Sequence, residues 1–201
     1  MWLHRHAAKL SERVSKVTQI IDAAAVAHTS SKTDRLLIER AVMQLQIEWD
    51  AFVRKLILDS ALGNFSDSSG RVYSQLPRPP RSRGEASRVL IAQYKKKSVE
   101  PDWYDTAQAI DAAGKLKLSN YGKIAGVLGV TPWLINDLRW VRNFIAHPSE
   151  RSALKIRGFG IVPAASQIDV VACALDYDST GQPRYKTWGG FISLVGWQLI
   201  K

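Results

Sequence analysis

The sequence predicts a mainly α-helical protein, and three features predict it. Two long stretches near the N-terminus carry apolar residues at the three- and four-residue spacing of a helix. A later stretch begins with Thr131-Pro132 and ends before Pro148, which are start and stop signals of a helix. We therefore expect a single domain over residues 1–201, built as a helical bundle, with a small C-terminal appendage at 149–201 in which short strands are one option.

The first two helices follow from the apolar periodicity. The first is predicted over residues 3–27, with Arg, Lys and Ser opposite its apolar stripe. The second begins at the capping residue Thr33 and ends at Gly63. Because it is apolar on more than one side, it must pack against several neighbours, which favours a bundle. Trp49 and Phe52 on this helix are expected in the core.

The middle of the chain alternates between loops and short helices. Residues 64–84 are rich in Ser, Pro, Gly and Arg and have no apolar period, so a long exposed loop is predicted. A short helix is expected at 85–96, and a second loop at 98–101. A further helix is expected over 102–113, where Gly114 stops it.

The remaining segments lead to the C-terminus. Residues 119–128 predict a short helix that Gly129 ends, and residues 131–147 predict the helix that begins with Thr-Pro. Beyond it, residues 168–177 favour a strand. The pattern of residues 185–201 is compatible with a helix interrupted by glycines or with a pair of strands.

Composition limits the class of protein. The chain has 201 residues, with 28 Lys and Arg against 18 Asp and Glu, and a net charge of +10 at pH 7. The single cysteine, Cys173, forms no intramolecular disulfide and no cysteine-type zinc site, so a cytoplasmic location is expected. No apolar run approaches the roughly 18 residues of a membrane-spanning helix, and no secretory signal or membrane partner is expected. The excess positive charge favours an acidic partner, most often nucleic acid.

The positive charge is concentrated in one stretch, which we call the basic segment. Between Arg71 and Lys97, eight basic residues stand against one acid, Glu85, which gives a net charge of +7. The basic residues are Arg71, Arg78, Arg81, Arg83, Arg88, Lys95, Lys96 and Lys97. Such a segment suits a nucleic-acid backbone, and Tyr73 and Tyr94 can stack on bases.

One face of the helix at 131–147 is rich in hydrogen-bonding side chains. With Arg139 at zero, Asn143 falls near about 40°, His147 near about 80°, Trp140 near about 100° and Arg142 near about −60°. The opposite side carries Leu134, Leu138, Val141 and Ile145. An ordinary exposed face displays Glu, Lys and Gln at salt-bridge spacing, whereas this face displays guanidinium, carboxamide and imidazole groups. The arrangement indicates an anion-binding site.

Arg142 and His147 carry the chemistry of this face. The helix C-terminus favours protonated His147, and the planar fork of Arg142 matches a phosphate. Five positions separate the two residues, which places them roughly 140° apart. They converge on one phosphate only if the helix breaks before Pro148, or if a second copy supplies a complementary Arg and His across a two-fold interface.

The run Arg-Asn-Phe-Ile-Ala-His, from Arg142 to His147, resembles the Arg-x4-His signature of HEPN-domain proteins. The pattern from Glu39 to Phe52, Glu-x9-Trp-Asp-Ala-Phe with its Glu at Glu39, is similar to one that precedes this signature in prokaryotic members of the RiboL-PSP type. The resemblance covers roughly residues 34–148 and implies an up-and-down helical bundle that forms a homodimer. Where some members carry a Tyr that is adenylylated, two positions after the His, this chain has Ser149, which argues against that mode of control.

The resemblance implies a metal-independent endoribonuclease, without cofactor, of a toxin–antitoxin or abortive-infection defence system. A ribose 2′-hydroxyl would attack its neighbouring phosphate, with His147 as general base or acid, Arg142 stabilising the charge and Asn143 orienting the site. Arg139 and Trp140, with the basic segment, would bind the RNA strand. A cognate antitoxin protein is a further expected partner.

Two other classes remain open. One is a non-catalytic HEPN-like module that binds RNA or protein through the same surface. The other is a helical interaction protein, such as an immunity subunit, whose basic loop binds an acidic partner. In a purely structural interpretation, Arg142 and Asn143 cap the helix end and His147 is a donor at its C-terminus. His4 and His6, without a carboxylate or Cys companion, are assigned no metal.

Overall fold

The protein is mainly helical, as the sequence predicts. The computed structural model describes residues 2–26, 31–94, 99–130, 132–158 and 167–201. Across these ranges the only sheet is one two-stranded hairpin. No helix in them is long and apolar enough to cross a bilayer.

Nine helices and two strands are seen in the described ranges. The helices are α1 (His4–Val26), α2 (Lys32–Ala61), α3 (Arg83–Gln93), α4 (Thr106–Lys115), α5 (Tyr121–Val130), α6 (Pro132–Ala146), α7 (Glu150–Gly158), α8 (Val170–Leu175) and α9 (Arg184–Gln198). The strands are β1 (Phe65–Asp67) and β2 (Gly70–Val72). The two long N-terminal helices are therefore confirmed. Trp49 and Phe52 lie in the core as expected.

The expectation of an unbroken loop over residues 64–84 is wrong. β1 and β2 pair antiparallel within it, with Phe65 opposite Val72 and Asp67 opposite Gly70. Gly70 has a φ of 123°, a conformation that favours glycine. Each strand has only three residues, so too few positions exist for an alternating pattern to stand out from the surrounding Ser and Gly.

Two predicted helix ends are also wrong, for a shared reason. Gly114 and Gly129 both lie inside helices, α4 and α5, which end later. A glycine ends a helix when it adopts the left-handed conformation. Gly63, after α2, does so with a φ of 70°, whereas Gly114 and Gly129 do not. The start of α4 is also later than expected, because Asp105 caps it by accepting from the N–H groups of the second and third helical residues.

The C-terminal part is helical where a strand was expected. Residues 170–175 form α8, which corrects the strand prediction for 168–177. The carboxylate of Asp169 accepts a hydrogen bond from the N–H of Ala172 at 3.0 Å, and this cap outweighs the strand preference of neighbouring Val residues. Residues 184–198 form α9, which confirms the helical option for the last stretch. Cys173 on α8 is buried.

The chain divides into two compact units, each with its own core. The first contains Met1–Leu10, Trp49–Pro132 and Leu194–Lys201, and the second contains Ser11–Glu48 and Trp133–Ser193. Fully buried side chains of the first include Trp49, Leu56, Ile57, Leu90, Leu116 and Ile124, and those of the second include Ile21, Ile38, Leu45, Leu138 and Val141.

Candidate functional site

The candidate site lies on α6, in the second unit. The helix begins at Pro132 and runs without a break to Ala146. The N–H of His147 still donates to the carbonyl oxygen of Asn143 at 2.8 Å, so the helical bonding extends one residue further. Pro148 follows, and it has no N–H with which to continue the pattern. The expected cap Thr131 lies outside the described residues.

The apolar side of α6 is buried, as the periodicity predicts. Leu138 and Val141 are at most 1% exposed, and Ile135 joins them. Ile145 is half-buried. The side chain of Leu134 lies outside the described part of the chain.

Asp137 is buried among these apolar residues. One of its carboxylate oxygens, Oδ1, has no hydrogen-bond partner. Burial raises the pKa of Asp137 to about 6, while the charge of Arg184 acts in the opposite direction. Asp137 is therefore a buried carboxylate and no part of the exposed polar face.

The polar face of α6 holds a linked pair of side chains. Nη1 of Arg142 donates to Oδ1 of Asn143 at 3.1 Å, and both residues are half-buried. Within the ranges that the structure describes, no carboxylate pairs with Arg142. Because Asn143 accepts through its oxygen, its amide nitrogen remains a donor. The pair therefore presents N–H donors, which suit an anion.

His147 is exposed at the end of α6. Its ring has no side-chain partner among the residues whose positions are described. In the structural interpretation of this residue, the imidazole would hydrogen-bond to the helix end, and no such bond is found in those residues. An accessible imidazole of this kind is able to exchange protons with a ligand.

Arg142 and His147 are not brought together by a kink in α6. The helix is continuous to Ala146, so the first route to convergence, a break before Pro148, is absent. On a regular helix the two side chains leave roughly 140° apart. The other expected route, a second copy of the chain that supplies a complementary Arg and His, stays a prediction.

Two cations lie close to the ring of Trp140. Cζ of Arg139 is 5.4 Å from the centre of its ring, and Nζ of Lys155, on α7, is 5.7 Å from the same centre. Cation–π attraction at these distances holds positive charge beside the indole. The sequence suggested Arg139 and Trp140 but missed Lys155, because a periodic pattern does not show which residues of two helices meet.

The basic segment belongs to the first unit, and its arginines differ in their surroundings. Arg78 and Arg81 are exposed, and neither guanidinium has a partner among the described residues. Arg83 instead forms a two-pronged ion pair with Asp59, in which Nη2 lies 2.7 Å from Oδ2. The predicted binding residues Lys95, Lys96 and Lys97 lie outside the described residues.

The Asp59 cluster is a polar centre that sequence reasoning missed. Asp59 is fully buried, and Nε2 of His6 lies 2.8 Å from its Oδ2. Burial alone raises the pKa of Asp59, but the hydrogen bonds from His6 and Arg83 outweigh it and hold the pKa below its usual value. His6 lies 53 positions from Asp59 and Arg83 lies 24 positions from it, so no local pattern reveals the cluster. In the ranges covered, no group of three ligating side chains is arranged to hold a metal ion.

Neither the known protein families nor the curated proteins nor the solved structures compared with this chain give a significant match.

Proposed function

We propose that this protein is a metal-independent endoribonuclease. The observation that carries the proposal is that a guanidinium and an imidazole occur at the C-terminal end of α6 without a charged partner among the described residues. Arg142 has no carboxylate partner there, and the exposed imidazole of His147, which follows the last residue of the helix, has no side-chain partner there. A guanidinium without a counter-ion favours an anionic ligand, and an accessible imidazole is able to transfer a proton.

The proposed cleavage of RNA uses the imidazole of His147 and the guanidinium of Arg142. The ribose 2′-hydroxyl loses its proton and attacks the adjacent phosphorus, the bond to the 5′-oxygen breaks, and that oxygen gains a proton. The products are a cyclic phosphate and a 5′-hydroxyl. His147 transfers a proton, a contribution of about 10²- to 10⁴-fold in rate. Arg142 stabilises the additional negative charge of the transition state, and Asn143 holds the Arg142 guanidinium in place.

The site is completed by a second copy of the chain. Arg142 and His147 of one chain point roughly 140° apart, so one chain does not bring them together. In a two-fold dimer whose two α6 helices face each other, an Arg of one copy would lie beside a His of the other. Arg139 and Trp140, with the exposed arginines of the basic segment, would bind flanking parts of the strand. A toxin role in a defence system, with a cognate antitoxin protein as regulator, belongs to this proposal.

The test is an RNA cleavage assay in EDTA. Wild-type protein should cut RNA and leave cyclic phosphate and 5′-hydroxyl ends. His147→Ala and Arg142→Ala should each lower the rate by about 100-fold or more. His4→Ala and Arg5→Ala, which change an exposed His and an exposed Arg of α1, are the matched controls and should cut at the wild-type rate. Folded wild-type protein that cuts no RNA, or unchanged cleavage by His147→Ala, would contradict the proposal.

A non-catalytic module that binds RNA or a protein is the second candidate. The separation of Arg142 from His147 within one chain favours it, because binding requires no convergence of the two groups. It predicts RNA binding that weakens with salt and is unaccompanied by cleavage at any protein concentration.

A further inference from the structure

We infer that the first unit carries a groove for single-stranded nucleic acid, in which Arg78 and Arg81 bind phosphates and Tyr73 stacks on an unpaired base. The inference deepens the proposed function by naming the form of its substrate. It also rests on separate observations, since none of these residues lies on α6.

Two adjoining cavities form the groove. The larger, of about 730 Å³, is lined by Arg78, Arg81 and Glu85 together with the proline run that separates the arginines. The smaller, of about 360 Å³, is lined by Arg71 and Tyr73 among others. Leu62 and Pro79 line both cavities. Cavities of this size are typical of sites for ligands as large as a nucleotide.

The side chains of two arginines of the groove have no carboxylate partner among the described residues. Two other arginines of the same unit have carboxylate partners: Arg54 donates to Glu100 at 2.6 Å, and Arg83 pairs with Asp59. Arg78 and Arg81 are exposed and lack such partners within the described ranges. The one acid of the larger cavity, Glu85, accepts a hydrogen bond from the backbone N–H of Arg81 at 2.9 Å, so one of its oxygens is engaged. The two arginines therefore offer ten N–H donors to an anionic ligand.

Tyr73 supplies a flat surface beside these cations. It is 46% exposed, and its hydroxyl has no partner among the residues described. Arg71, in the same cavity, is anchored through Nε to the carbonyl oxygen of Gly63. Stacking on an aromatic ring requires a base with a free face, which a single strand offers and a duplex hides within its stack. The combination of ring and guanidinium groups favours a single strand.

The groove is held rigid at both ends. Ser74 is buried, and its hydroxyl donates to the carbonyl oxygen of Leu116 at 2.7 Å, while the N–H of Gln75 donates to the carbonyl oxygen of Lys117 at 2.9 Å. At the other end, Ser82 caps α3. Pro77, Pro79 and Pro80 fix the backbone between them. A rigid groove loses little conformational entropy when it binds, which strengthens binding.

The test is the fluorescence anisotropy of a labelled 12-nucleotide 2′-O-methyl oligouridylate. This probe lacks the 2′-hydroxyl nucleophile, so binding is measured whether or not the protein cleaves RNA. Wild type should bind the probe more tightly than the same strand in a duplex. Tyr73→Ala should weaken binding by about 5- to 100-fold, and Tyr73→Phe should retain it. Tyr177→Ala, which removes an exposed tyrosine of the second unit, should bind as wild type does.

The salt dependence tests the arginines separately. The slope of log affinity against log salt is negative, and each phosphate contact to a single strand contributes about −0.7 to it. Replacing both Arg78 and Arg81 with Ala should therefore make the slope less negative by about 1.4. Tyr73→Ala should leave that slope unchanged, as should the control Arg5→Ala. All four positions are exposed, so the variants should unfold at the wild-type urea midpoint.

Several results would overturn the inference. The first is a salt slope that does not change when Arg78 and Arg81 are both replaced, and the second is wild-type affinity of Tyr73→Ala for the probe. The third is equal affinity for the duplex and the single strand. The fourth is an affinity for a polyglutamate peptide that equals the affinity for the probe and that Tyr73→Ala does not change. If the protein binds the probe as expected but cleaves no RNA, only the proposed nuclease activity is overturned. If it cleaves RNA but substitutions at Tyr73, Arg78 and Arg81 leave probe binding unchanged, only the inference of the groove is overturned.

Discussion

Replacing Arg83 with Ala should destabilise the first unit by about 2–3 kcal/mol. The Asp59 carboxylate is fully buried and is held by Arg83 and by His6. Removing one partner of a buried ion pair typically costs about 3–5 kcal/mol, because it leaves an unpaired charge in the interior. The Arg83 side chain is 46% exposed and the His6 contact remains, so solvent and the second partner reduce that cost.

The measurement is urea unfolding followed by helical circular dichroism. Arg81→Ala is the matched control, since it removes the same side chain two positions away at an exposed site without a described partner. It should change the free energy of unfolding by less than about 0.5 kcal/mol. If Arg83→Ala were as stable as Arg81→Ala, the argument that Arg83 neutralises a buried carboxylate would be refuted.

The difference in stability between wild type and Arg83→Ala is predicted to depend on pH. Burial raises the pKa of Asp59, and the hydrogen bonds from His6 and Arg83 more than reverse this, so its folded pKa lies below its usual value of 3.8. A lowered carboxyl pKa contributes stability that is present above about pH 4 and lost as the pH falls through the folded pKa. The difference between wild type and Arg83→Ala should therefore shrink below about pH 4. A difference that stays constant or grows in acid would contradict this.

Two further substitutions probe the second unit. Burial raises the pKa of Asp137 to about 6, so its stabilising neutral form is lost as the pH rises through that value. The effect of Asp137→Asn on the free energy of unfolding should therefore depend on pH. The substitution should be more favourable at pH 8 than at pH 4, by about 1–3 kcal/mol. An equal effect at the two pH values would refute this. A Cβ on Gly189 would lie 3.0 Å from Cγ1 of Val14, whereas one on Gly190 meets nothing within 4 Å. Gly189→Ala should cost about 1–3 kcal/mol and Gly190→Ala should be neutral or stabilising in urea titrations; the reverse order would contradict the packing.

Local sequence information predicted the long helices because their apolar spacing repeats over many turns. The buried residues Leu138 and Val141 of α6 are an example, since helical periodicity alone places them on one side. A short helix or strand has too few residues for a repeating apolar pattern. The three-residue strands were missed for this reason. α8 was predicted as a strand because its Val residues outweighed the cap at Asp169 in the sequence pattern, whereas in the structure the cap decides.

The candidate site was predictable to the extent that it lies on one helix. Arg142 and Asn143 lie on α6 and His147 follows its last residue, so helical spacing alone predicts the side of the helix on which each lies. Contacts between distant segments are not contained in any local pattern. Two such contacts involve basic residues. Lys155 lies beside Trp140, and Arg83 binds Asp59. Arg83 has a direct structural role, and its contribution to RNA binding stays a prediction.

The most direct test of the central claim is complementation between two inactive variants. Arg142→Ala keeps His147, and His147→Ala keeps Arg142, so a mixed dimer of the two has one site with both groups and one with neither. After subunit exchange in an equal mixture, half of the dimers are mixed, and cleavage should recover to about one quarter of the wild-type rate per chain. A mixture as inactive as each variant alone, in dimers shown to have exchanged, would contradict a site shared between two copies.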